Sequence, residues 1–84
     1  MHFVYVLQSA KTGKFYIGQT ANLDDRLARH NEGRVPSTTA GRPWKLLLVE
    51  QYSSRQEAIT REKELKNWRS HQRISTLIKQ PKPG

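Results

Sequence analysis

Two runs rich in β-branched and aromatic residues, Phe3-Val4-Tyr5-Val6-Leu7 and Lys14-Phe15-Tyr16-Ile17-Gly18, stand near one end of the chain with only a short polar stretch between them. Such runs suit extended backbone, and Ser9 to Gly13 has the length and composition of a turn. They predict a β-hairpin. A lone hairpin is marginal in water, so the remaining residues must cover it. With 84 residues and no cysteine, that cover has to come from packing in one small domain, expected over residues 1–79. Gln80-Pro81-Lys82-Pro83-Gly84 reads as a disordered tail.

The missing cysteines exclude disulfide staples and thiolate zinc sites, and three scattered His do not make a zinc set. The longest apolar run, Leu46-Leu47-Leu48-Val49, is far short of the roughly 20 residues that cross a bilayer. No signal-peptide pattern follows Met1-His2. A cytoplasmic protein with no membrane partner is expected.

Beyond the hairpin, Asn22 can cap a helix over about 22–32, with Asp24 and Asp25 complementing its dipole. Gly33 to Pro43, rich in Gly, Pro, Ser and Thr, predicts a loop. Trp44 to Tyr52 predicts a third strand, apolar on both faces in its middle and covered by helices. Ser54 and Glu57 form a capping-box signature for a helix over about 54–67. Ser70 can cap a last helix in which Ile74, Leu77 and Ile78 share a face. The order ββαβαα implies an α/β domain with a small three-stranded sheet flanked by helices.

Spacing on the helices picks out a few polar residues. Arg26 and His30 are four apart and share a face, displaced by about 60° from the pair Leu23 and Leu27. They are expected along the margin of the buried stripe, where they line a cleft or simply lie on the surface. With Ile59 at 0°, Leu65, Ala58 and Glu62 fall near 240°, 260° and 300°, whereas Glu57 and Glu64 lie on the far side. Glu62 therefore sits in the apolar sector, where a carboxylate needs a cation or an ion pair with Arg26, Arg61 or Lys66. Tyr5 and Tyr16 stand on neighbouring strands, as core aromatics or as groups that orient a water. Trp44 and Trp68 read as packing residues.

Val4-Tyr5-Val6 followed by Tyr16-Ile17-Gly18, then Thr20 to His30 with Arg26 and His30, resembles the GIY-YIG endonuclease family. Glu62-Lys63-Glu64-Leu65-Lys66 with Trp68 and Arg69 is similar to the C-terminal pattern of its small stand-alone members, so the likeness runs from Phe3 to about Ile78. The resemblance implies a three-stranded antiparallel sheet flanked by helices. It also implies a catalytic set of Tyr5, Tyr16, Arg26, His30 and Glu62. The tyrosines would face the scissile phosphate, and Arg26 would stabilise its charge. His30 would take a position held by His or Tyr in the family, and Glu62 would hold one Mg²⁺ or Mn²⁺. Which tyrosine assists the nucleophile stays open.

The chain departs from the family pattern in places. Val4 and Val6 replace the Gly and Ile of the first motif, and Gln19 stands where many members have Lys. Ile74 occupies the position of a further Asn in larger relatives, a departure that speaks against tight DNA clamping of that kind.

The charge agrees with a polyanion partner. Of a net +8, residues 51–84 hold eight basic and three acidic side chains. Arg55, Arg61, Lys63, Lys66, Arg69 and Arg73 could follow a phosphate backbone, giving salt-dependent contacts with little sequence information. The expected activity is metal-dependent hydrolysis of phosphodiester bonds in DNA with low sequence specificity. The alternative is a weakly catalytic or non-catalytic DNA- or RNA-binding module, with a protein partner supplying specificity. Nothing in the chain reads a 2′-hydroxyl, so RNA stays open. Repair, recombination and branched-DNA processing are not distinguished.

Overall fold

The computed structural model describes residues 1–79; the tail expected from residue 80 lies outside the described residues. Strands β1 (His2–Ser9), β2 (Phe15–Thr20) and β3 (Trp44–Tyr52) form one antiparallel sheet in the order β2-β1-β3. Helices α1 (Leu23–Asn31), α2 (Arg55–Trp68) and α3 (His71–Lys79) flank it. The predicted ββαβαα order and three-stranded sheet are present.

The hairpin turn is tied by Ser9, whose Oγ accepts from the amides of Lys11 and Thr12 and donates to the Gly41 carbonyl at 2.6 Å. Gly13 closes the turn at φ 77°, a conformation that costs glycine little. Side chains of β1 alternate between two cores. Val4 and Val6 face α2 and α3, packing with Ala58, Leu65 and Ile74. Tyr5 and Leu7 face the other way, onto Trp44 and the half-buried Leu23, Leu27 and Leu46. Deleting a fully buried leucine from such a core costs about 2–5 kcal/mol, which is how so thin a domain stays folded without cross-links.

The helix starts follow the sequence. Asn22 Oδ1 accepts from the Asp25 amide at 3.1 Å and Ser54 Oγ from the Glu57 amide at 3.2 Å. Three expectations need correction. Gly33 to Pro43 is not simply a loop, because Pro36–Gly41 forms a 3₁₀ helix with Thr38 and Gly41 buried. Proline at its start and the tryptophan it packs under stabilise that turn: Trp44 Nε1 donates to the Thr38 carbonyl at 2.7 Å. The strand from Trp44 is an edge strand, half-buried through its middle, while β1 is the covered centre. One extra residue of β3 opposes β1 between Val6 and Leu7, a bulge that keeps the apolar residues on both sides of it facing inward. The third correction, at His30, belongs to the site.

Candidate active site

Tyr5 and Tyr16 come from the hairpin, Arg26 and His30 from α1, and Glu62 from α2. Tyr5 lies opposite Gly18 in the ladder. A Cβ at Gly18 would stand 2.4 Å from Tyr5 Oη and 2.6 Å from its Cζ, so the absent side chain is what lets the phenol cross β2. Tyr5 is 1% exposed. The Tyr16 ring stands 6.4 Å from the Tyr5 ring and edge-on to the imidazole of His30 at 4.8 Å. Among the described residues the Tyr16 hydroxyl forms no hydrogen bond, unlike that of Tyr5.

His30 is not at the margin of the buried stripe; it is 0% exposed. The reason is a second wall that spacing on α1 could not reveal, the 3₁₀ helix that brings Thr38 over the ring. His30 Nδ1 lies 2.8 Å from Thr38 Oγ1, and His30 Nε2 lies 3.1 Å from Tyr5 Oη. Thr38 Oγ1 donates to the Val35 carbonyl at 3.2 Å, so its own proton is committed there. It must then accept from His30 Nδ1–H, which leaves Nε2 as the acceptor for the Tyr5 hydroxyl. Tyr5 to His30 to Thr38 to Val35 is thus a one-way chain of donors. Sequence reasoning missed Thr38, because one threonine in a Ser-Thr-Thr run carries no spacing signal.

Electrostatics agree with that tautomer. Burial, reinforced by the Arg26 charge, holds the His30 imidazole below its ordinary value of 6.5. Burial pushes the Tyr5 phenol up to about 12; Tyr16 and Glu62 add to the rise and Arg26 opposes it. Arg26 and Glu62 therefore both act on the Tyr5 phenol. The unfolded chain protonates His30 near 6.5 and the folded chain only at lower pH, so this contribution to stability is complete above 6.5 and is lost as pH falls through that value to the folded one. Denaturant midpoints of the parent are expected to drop between pH 7 and 5, and those of His30→Gln to drop less. Parallel pH profiles for the two proteins would contradict a buried neutral His30.

Glu62 is half-buried, its side chain 18% exposed, and of the three basic partners open to it the one present is Lys66, with Nζ 3.3 Å from Oε2. The described residues hold no group of three acidic, His or Cys side chains placed to hold a metal. A single carboxylate held by one displaceable lysine fits a cation that keeps most of its own water, as Mg²⁺ does.

The expected basic surface divides into free and engaged cations. Arg55, Lys63 and Arg69 are exposed and form no ion pair among the described residues. Arg61 is committed, donating to Glu50 through Nε at 2.8 Å and Nη2 at 3.2 Å and reaching Glu64 as well. Burial pushes the Glu50 carboxyl up, but the Arg61 and Tyr52 hydrogen bonds and the Arg61 charge together hold it below its ordinary value. That pair pins α2 to β3. Arg73 lies over the Trp68 ring, 4.2 Å from its centroid.

The GIY-YIG catalytic domain matches residues 1–75 of the chain. A UPF0213 protein of Staphylococcus haemolyticus is 35% identical over 77 residues, covering 90% of this chain and 93% of the relative. A UPF0213 protein of Staphylococcus aureus is 34% identical over 80 residues, covering 94% and 95%. The solution NMR structure of the UPF0213 protein BH0048 from Bacillus halodurans superposes with a TM-score of 0.57 at 33% identity, covering 92% of this chain and 81% of that one. No described helix is long and apolar enough to cross a membrane.

Proposed function

The chain belongs to the GIY-YIG family, a nuclease-type family, and from that membership we propose that it is a metal-dependent endonuclease cutting phosphodiester bonds in DNA with little sequence preference. The observation that carries the reading is the directed chain from the Tyr5 hydroxyl to His30 Nε2. Hydrolysis needs a water to lose a proton as it attacks, and a phenol raised to about 12 cannot take one as a free phenolate at neutral pH. Tyr5 can take it while passing its own proton to His30, whose neutral Nε2 is already aimed at it. The Tyr16 hydroxyl, without a hydrogen bond among the described residues, is left to orient the water or a phosphate oxygen.

Arg26 supplies a planar, permanently charged donor array for the phosphate as negative charge builds on it. Glu62 would hold Mg²⁺ or Mn²⁺, which when bound supplies further positive charge against that phosphate. Lys66, released from Glu62, is then available to the backbone of the nucleic acid. Arg55, Lys63 and Arg69 give the non-specific electrostatic attachment, and Arg73 adds charge beside Trp68.

The test is nicking of supercoiled plasmid. Open-circular product is expected with Mg²⁺ or Mn²⁺ and none in EDTA. Binding without nicking under every metal condition would favour the alternative, a binding module without turnover.

A further inference from the structure

The outer edge of β2 and the junction of α2 with α3 enclose a groove of ≈ 440 Å³. Its apolar floor is formed by Ile17, Leu65 and Ile74, while Lys14, Lys66 and Arg69 stand around its rim and none of the described residues that line it is acidic. One wall is a flat pair: Phe15 and His71 stack with ring centroids 4.2 Å apart and planes 15° from parallel. His71 is the exposed member.

The groove lies on the α2 and α3 side of β2 and adjoins the candidate active site across that edge strand, although Tyr5, Arg26, His30 and Glu62 do not line it. Tyr16 lines it, and so does Lys66, which pairs with Glu62. Arg69 is held on its rim at φ 47°, a left-handed conformation that residues with a Cβ avoid, so a guanidinium is presented where a glycine would be conformationally easier. Helix α3 begins at the same rim with no acidic residue in its first turn.

An apolar floor, a flat aromatic wall and an all-basic margin match a ligand with a planar apolar face and a phosphate at its edge. We propose that the groove holds an unpaired nucleotide next to the phosphate to be cut. The substrate is then nucleic acid with a single-stranded or extruded base, since a base stacked inside continuous duplex cannot present its face to the outer side of the His71 ring. A phosphate on the rim also competes with Glu62 for Lys66, which frees the carboxylate as substrate arrives. The inference rests on the nuclease reading and narrows its substrate.

Three probes of equal length carrying 2-aminopurine test it in EDTA: a single strand, a duplex with the 2-aminopurine in a one-base bulge, and a fully paired duplex. The unpaired probes are expected to bind at least about tenfold tighter than the paired one, as stacking on a protein aromatic allows, with the fluorescence of their 2-aminopurine changing on binding. That preference should fall below about threefold in His71→Ala. Arg69→Gly, which relieves the left-handed backbone and so should fold readily, should also bind the unpaired probes more weakly. Equal affinity of the parent for all three probes overturns the groove assignment, as does a preference unchanged in both variants. Metal-dependent nicking that persists in that case leaves the nuclease reading standing. Failure to bind any probe, with no nicking, overturns both.

Discussion

Tyr5→Phe is expected to lower the rate of strand cleavage by roughly 10²–10⁴-fold, the range typical of losing a general acid–base group. The substitution removes only the hydroxyl that meets His30 Nε2 at 3.1 Å, leaving the ring on its packing neighbours. It also leaves a buried acceptor without its donor, at a cost of about 1–3 kcal/mol in stability. The two effects separate experimentally. Rate measured where circular dichroism shows the variant folded reports the chemistry, and DNA binding should stay within about threefold of the parent because no charge is lost. Tyr16→Phe provides the comparison, since its hydroxyl has no partner in the chain of donors. A Tyr5→Phe protein that cuts within threefold of the parent contradicts the relay.

Gly18→Ala is expected to damage both stability and activity, although it adds one methyl group to a strand. That methyl would lie 2.4 Å from Tyr5 Oη and 2.6 Å from Cζ, well inside contact distance. The ring cannot swing clear, because Tyr5 is 1% exposed and held by His30. Either β2 moves from β1 or the phenol leaves His30, and overpacking of this kind costs about 1–3 kcal/mol. Displacing the hydroxyl by about 1 Å from a reacting group costs on the order of 10² in rate. Denaturant unfolding and the nicking assay measure the two losses. Parent-like values in both would show that the close approach of Tyr5 to Gly18 is not required.

What could be read in the residues was what depends on near neighbours along the chain. The hairpin follows from two β-favouring runs and a turn, and the caps at Asn22 and Ser54 satisfy amides three residues away. Glu62 could be placed at the apolar margin because helical phase is local, but its choice of Lys66 could not, since three cations satisfied the same requirement. His30 was read as a margin residue for a similar reason. Its burial comes from Thr38, on a 3₁₀ helix that Trp44 anchors while Asn31 grips the Trp44 backbone from α1. Those contacts join segments with no shared periodicity. Arg61 shows the same limit: read in the sequence as a phosphate contact or a partner for Glu62, it is engaged by Glu50 across the sheet edge.

On the proposed reading, Glu62 carries the cation on which cleavage depends, while the basic surface only brings the nucleic acid close. Plasmid nicking by the parent and by Glu62→Gln, run side by side with Mg²⁺ and with EDTA and paired with DNA-binding titrations of both proteins, tests it most directly. Nicking by the parent is expected only with metal. Glu62→Gln is expected to lose at least about 10²-fold in nicking, with DNA affinity within about threefold of the parent. Equal nicking by the two proteins, or nicking that survives EDTA, would contradict it.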